Sequence, residues 1–176
     1  MADFNKILEP GDYKNGEINV VIEVPVGSTQ KIEWNRDLAI FELDRVEPSA
    51  FVKPANYGFI PQTLDEDGDE LDVMVVTSGA IPTGVYLKAR VLGVMKFSDD
   101  GEVDDKIIAV PVDDRDNDDM YEKLEDLPKR LLEQIEHHFN HYKDLYKPGS
   151  TKVEGFYGFD EAKKVIAEAI ERWGRQ

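Results

Sequence analysis

Six carboxylates fall within eight residues at positions 65–72 (Asp65, Glu66, Asp67, Asp69, Glu70 and Asp72), and the apolar segment Val73-Met74-Val75-Val76 follows directly. If that segment is a buried strand, Asp72 is fixed at its start, and Gly68 lets the chain fold back so that Asp67, Asp69 and Asp72 share one volume. Oxygen ligands of this kind suit hard divalent cations such as magnesium. A solvated acidic turn is the plainer fate of a charge cluster, so the decision rests on what the remaining chain supplies. Further carboxylates stand at the ends of strand-like segments (Glu23, Asp99, Asp104), and a basic and phenolic set accompanies them: Lys31, Arg45, Tyr57, Lys106, Tyr142 and Lys143. Carboxylates can hold divalent ions, such ions bind phosphate oxygens, and Lys, Arg and Tyr complete the coordination of the outer oxygens. Two metals roughly 3.5–4 Å apart can share a water and lower its pKa enough to form hydroxide near neutral pH, with a weakly bound Asp taking the proton.

Composition narrows the field. At 176 residues the chain reads as one domain, 1–176, long enough to bury a substantial core. The net charge of −16, from 21 basic and 37 acidic residues, argues against a broad nucleic-acid or anionic-membrane surface. An anionic small molecule would need metals or a local basic lining. There is no cysteine, which excludes disulfides, thiolate metal sites and a cysteine nucleophile, and suits the cytosol. The amino terminus lacks the apolar core of a signal peptide, and the longest apolar run, 107–112, is too short for a bilayer, so the expectation is a soluble cytoplasmic protein.

The elements that must position these groups follow from hydrophobic period. Residues 1–16 read as a surface lead-in with one helical turn. Ile18, Val20, Ile22 and Val24 alternate as a strand, with Glu23 on the other face. In the next strand Lys31 and Glu33 share a face opposite Ile32 and Trp34, and 38–43 reads as a third strand ending at Asp44-Arg45. Segment 51–61, bracketed by prolines, reads as extended and edge-like. A strand at 72–77, a long one at 86–97, a turn around Asp100-Gly101 and a returning strand at 106–112 follow, with Asp104 and Lys106 on one side. The acidic run 113–119 reads as a solvated loop. After Pro128 a helix carries Leu131, Ile135, His138, Phe139, Tyr142 and Leu145 as its stripe and stops before Pro148. A last helix starts near Asp160 as N-cap and buries Ala162, Val165, Ile166, Ala169, Ile170 and Trp173. The sum is an α+β fold, a small closed OB-like β-barrel with two C-terminal helices packed outside it.

Familiar devices are missing. There is no phosphate loop, no G-x-G-x-x-G and no nucleophile elbow. The acidic stretch fails as a calcium loop, because Glu70 stands where glycine is needed and Val76 where the late bidentate Glu belongs. His137 and His141, four apart on the long helix, have the spacing of two zinc ligands, but the surface reading is preferred and His138 belongs at the core edge. A non-catalytic acidic binding module and a phosphate-ester hydrolase stay open as alternatives.

At this point the chain resembles the soluble inorganic pyrophosphatases of the first class, the single-domain type of bacteria and archaea. Asp67-Gly68-Asp69-Glu70-Leu71-Asp72-Val73 is similar to their signature Asp-Gly-Asp-Pro-x-Asp-Val. Val21-Ile22-Glu23-Val24-Pro25, Lys31-Ile32-Glu33, Asp44-Arg45, Pro54-Ala55-Asn56-Tyr57-Gly58, Gly93-Val94-Met95-Lys96, 99–106 and His141-Tyr142-Lys143-Asp144 follow in the family's order. The resemblance implies that Asp67, Asp72 and Asp104 bind activating Mg2+, that Asp69 is the general base, and that Glu23 and Asp99 bind metals arriving with substrate. It implies that Lys31, Arg45, Tyr57, Lys106, Tyr142 and Lys143 bind pyrophosphate, with Glu33 behind them. The implied reaction is direct attack of a metal-bridging hydroxide, with several Mg2+ per site and no covalent intermediate. The family also implies a homo-oligomer, a hexamer in most bacterial and archaeal members. Two departures stand out: Glu70 in place of the usual proline, and Lys53 where bacterial relatives often carry an aromatic residue.

Overall fold

The computed structural model describes residues 3–117 and 120–175; Met1 and Ala2 of the lead-in and Asp118 and Asp119 of the third acidic run lie outside the described residues. In chain order the elements are α1 (Phe4–Ile7), β1 (Glu17–Val24), β2 (Gln30–Asn35), β3 (Ile40–Val46), β4 (Asn56–Phe59), β5 (Asp72–Val75), β6 (Tyr86–Asp99), β7 (Glu102–Val103), β8 (Lys106–Pro111), α2 (Lys129–His141), β9 (Thr151–Gly158) and α3 (Phe159–Trp173). Five strands bond as a ring in the order β1-β4-β5-β8-β6, closed by β6 pairing back to β1. Strands β5 and β8 run parallel, and the other pairs of the ring are antiparallel. Strands β7 and β9 both pair with β6, and β2 and β3 form a separate two-stranded hairpin. The expected OB-like α+β architecture is the one observed.

Period-2 alternation gives the ring two differently used faces. On one, Ile18, Val20 and Ile22 meet Val73, Val75, Ile107, Ala109 and the α3 stripe Ala162, Val165, Ile166 and Ala169. On the other, Tyr57, Met74 and Ile108 pack with Ile135 and Phe139 of α2. The two helices therefore cover opposite faces of the strands. At roughly 1.5–3 kcal/mol for each fully buried aliphatic side chain, these layers carry the stability and leave the charged residues free for other work. A third cluster fastens the hairpin to the ring: Val21, Trp34 and Phe59 are buried together. Phe4 of α1 meets the Trp34 ring edge-on at 4.8 Å, and Phe41 lies 5.3 Å from it.

Several local expectations shift. Segment 51–61 is not an edge: β4 pairs on both sides, with β1 and β5, and is buried throughout. The room for it comes from Gly58, where a Cβ would stand 2.0 Å from the Val21 carbonyl oxygen. The third strand starts later and runs on through Asp44 and Arg45, because Leu38 and Ala39 are spent in the turn, Ala39 at φ +53. Strand β9 has no counterpart in the sequence reading, since the bulge at Gly155 breaks its alternation against β6. Helix α2 ends at His141, and Leu145 is exposed instead of completing the stripe. The α3 N-cap is Gly158, and Asp160 sits in the first turn, where a carboxylate complements the helix dipole.

Two outcomes follow. Gly58→Ala forces β1 and β4 apart and lowers unfolding stability by roughly 2 kcal/mol or more, measured by denaturant titration. His138 is buried beside Phe51, Phe139 and Tyr142; burial, then the charges of Lys53 and His137, lowers its imidazole from 6.5 to about 3. The unfolded chain therefore takes the proton first, and the stability of the neutral form, complete above pH 6.5, is lost as pH falls toward 3. Relative to wild type, His138→Phe should flatten the stability curve between those limits by up to about 1.4 kcal/mol per pH unit, read from denaturation midpoints across pH.

Candidate active site

Every residue given a metal, substrate, proton-transfer or supporting role by the family resemblance lines one cavity of about 400 Å³ on the α2 face of the ring, under the β2–β3 hairpin. Strand register explains the convergence. The parallel pair Val73↔Ile107 sets Asp72 and Lys106 side by side at the starts of β5 and β8. The antiparallel pairs Phe59↔Asp72 and Tyr57↔Met74 put Tyr57 on the same face as Asp72. Glu23 comes from the end of β1, Lys31 and Glu33 from β2, Arg45 from β3, Asp99 from the end of β6, Asp104 from the link before β8, and Tyr142 and Lys143 from the turn after α2. Asp67 and Asp69 lie on the loop before β5, tightened by Gly68 at φ +95 and by the Asp69 N–H donating to Asp67 Oδ1 at 3.0 Å.

At the centre, the Lys106 ammonium, 2% exposed, donates to Asp72 Oδ2 at 2.5 Å and to Asp104 Oδ1. Burial opposes its charge, but Asp72 and Asp104 outweigh burial and hold it above the ordinary lysine value. The Tyr57 hydroxyl donates to the same Asp72 oxygen. Burial first, then nearby carboxylates (Asp72 for Tyr57, Asp99 for Tyr142), keeps both phenols protonated and available as donors. Lys143 and, at 3.3 Å, the Tyr142 hydroxyl donate to Asp99 Oδ2. On the hairpin wall Lys31 pairs with Glu33 and, at 3.4 Å, with Asp44, while Arg45 is held by Glu47 at 2.6 Å.

The carboxylates are under electrostatic pressure. Burial, then the charge of Asp72, raises Glu23 well above its ordinary value although the Trp34 N–H donates to it at 2.7 Å. Burial raises Asp104 despite Lys106. Asp69 stays largely open to solvent, yet the enclosing walls, then Asp67 and Glu70, push its carboxyl up to about 6. Among the described residues no three His, Asp or Glu side chains already stand as a ready coordination shell. The His137–His141 pair is exposed, its rings 4.6 Å apart.

Sequence reasoning passed over several groups. Asp65 and Glu70, read as solvated, are buried. Asp65 lies 3.4 Å from Arg172 of α3, and burial raises it to about 7. Glu70 accepts from Asn5 of α1 at 2.6 Å and lies 3.7 Å from Arg36, whose guanidinium also donates to the Gly68 carbonyl at 2.8 Å. Nothing local signals a contact that spans 65 residues. Lys53 also lines the cavity. Its signal was present: Lys53, Ala55 and Tyr57 alternate, and all three side chains are buried.

The comparisons with known proteins agree with one another. The family model for inorganic pyrophosphatase matches residues 20–174. The inorganic pyrophosphatase of Neisseria meningitidis serogroup B is 68% identical over 176 residues, covering 100% of this chain and 99% of that protein. That of Haemophilus influenzae is 64% identical over 100% of both. The crystal structure of an inorganic pyrophosphatase from Neisseria gonorrhoeae, 67% identical, superposes with a TM-score of 0.96 over 98% of this chain and 99% of that one. With the cavity's carboxylates and cations in the order of the family's motifs, the chain belongs to the inorganic pyrophosphatase family.

Proposed function

We propose that the protein hydrolyses inorganic pyrophosphate to two phosphates with several Mg2+ ions in the cavity. The observation that carries this reading is the meeting, in one polar cavity, of a carboxylate set and a Lys, Arg and Tyr set drawn from separate segments. The donor set suits a hard cation: Asp67, Asp72, Asp104, Asp99 and Glu23 offer oxygen alone. Its unmet needs point the same way. Asp99 Oδ1 is buried with no hydrogen-bond partner, and enclosure disfavours the charges of Glu23 and Asp104 unless cations arrive. When bound, Mg2+ at these residues would screen the charge of the diphosphate and acidify water.

The chain's own groups then divide the remaining work. Lys31, Arg45, Lys106 and Lys143 hold the non-bridging oxygens of the two phosphates, with the Tyr57 and Tyr142 hydroxyls as neutral donors. Glu33 orients Lys31. Asp69 accepts the proton of the attacking water as it adds to one phosphorus and the other phosphate departs. The lining residues include no Ser, Thr, Cys or His, which supports direct attack by water over a covalent intermediate on such a nucleophile. No helix among the described residues is long and apolar enough to cross a membrane, and on this reading the protein acts as a cytoplasmic homo-oligomer, a hexamer by family resemblance.

Purified protein with pyrophosphate should release phosphate when Mg2+ is present and stop when a chelator is added. Asp69→Asn should lower kcat by roughly 10²–10⁴-fold with a small change in KM. Release that is indifferent to both chelator and Asp69→Asn would overturn the reading, and metal binding without any turnover would support the non-catalytic module instead.

A further inference from the structure

We propose that Lys53 is a further substrate-binding residue, the cation whose counter-ion in this cavity is a phosphoryl oxygen of the diphosphate. This rests on the function proposed above and extends it to a side chain outside the set that the family motifs supply.

The backbone of Lys53 is pinned from behind. Its N–H donates to the Ser28 carbonyl at 3.0 Å, and its carbonyl accepts from the Gly27 N–H at 2.9 Å. The side chain lines the cavity with its ammonium 4.4 Å from the centroid of the Tyr57 ring, 5.5 Å from that of Phe139 and 5.8 Å from that of Tyr142. The rings hold the ammonium in place by cation–π attraction, but neutral rings do not cancel a charge.

Its neighbours are differently placed. The other cations of the cavity each have a carboxylate within 4 Å: Lys31 has Glu33 and Asp44, Arg36 has Glu70, Arg45 has Glu47, Lys106 has Asp72 and Asp104, and Lys143 has Asp99. Among the described residues Lys53 alone of these cations has no ion-pair partner at such a distance, although only 8% of its surface is exposed. A buried ammonium without a counter-ion destabilises the free protein. Consistent with that cost, burial lowers its pKa to about 8, the charge of Asp72 only partly opposing and Lys106 and Lys31 adding to the descent. A diphosphate brings several negative charges into this cavity, and Lys53 is the cation whose charge the protein itself leaves uncompensated.

The test compares wild type, Lys53→Met, Lys53→Gln and Lys53→Arg in the full chain. Imidodiphosphate with Mg2+ serves as the non-hydrolysable probe for calorimetric Kd; KM and kcat for pyrophosphate and the ligand-free Tm are measured alongside. Loss of the charge in Lys53→Met and Lys53→Gln should raise Kd and KM about tenfold, the size of one charge-assisted contact, with a smaller effect on kcat. Lys53→Arg should recover most of the affinity. Because the unpaired charge is gone, the Tm of Lys53→Met should stay level or rise. A lower Tm with unchanged Kd and KM would overturn the proposal by making Lys53 a prop for the aromatic rings, while wild-type binding and turnover kept the pyrophosphatase reading intact. Wild type that neither binds imidodiphosphate nor hydrolyses pyrophosphate would fail that reading first and this one with it.

Discussion

The contact on which the site depends is the buried ammonium of Lys106 held between Asp72 and Asp104. Lys106 is among the largest fully buried side chains of the protein, in a class otherwise made of Phe, Ile, Leu and Met. Such a charge is costly unless close partners compensate it, and removing one partner is strongly destabilising. The partners are close because β5 and β8 run parallel and start level, so two residues 34 apart in sequence stand side by side. Antiparallel strands at this seam would have set Lys106 beside the far end of β5. A parallel pair needs a long crossover, and here the chain makes it through β6, whose far end carries Asp99 into the same cavity.

Around that contact the molecule separates stability from chemistry. One face of the ring and α3 form an apolar layer, and α2 covers the other face beyond the cavity. The hairpin that brings Lys31 and Arg45 forms no ladder with the ring; it is fixed by Trp34 and Phe41 against Phe4 and Phe59. The acidic loop is tied by Glu70 to Asn5 and Arg36, and by Asp65 to Arg172. Short loops bearing many like charges repel themselves open. These ties of Glu70 and Asp65 to distant cations and an amide offset the repulsion in the loop.

Much of this was legible in the chain. The alternation at 18–24, the turn at Asp100-Gly101, the helical stripes and the in-order motifs each depend on residues within a few positions of one another, and each was read nearly as it stands. The misreadings share a cause. Segment 51–61 looked like an edge because prolines forbid ladder bonds locally, while its burial is decided by β1 and β5 on either side. Strand β9 was hidden by the Gly155 bulge, and Leu145 extended a helical period that the chain leaves at His141.

The sequence by itself determined which side chains are able to carry chemistry, because charge, donor type and motif spacing are properties of the side chains and survive any arrangement of the backbone. It also determined the period of the elements whose alternation is unbroken, since alternation records which face meets a core. Only the tertiary structure decided the state of those charges. Asp65 and Glu70 are indistinguishable from Glu66 in an acidic run, yet they are buried and Glu66 is not. Asp104 stands two residues before Lys106 in the sequence, but the second carboxylate on Lys106, Asp72, arrives only through the fold, which sets Lys53 instead among three rings. Coulomb energy and desolvation depend on distance and enclosure, and neither quantity exists until segments far apart in sequence have been packed together.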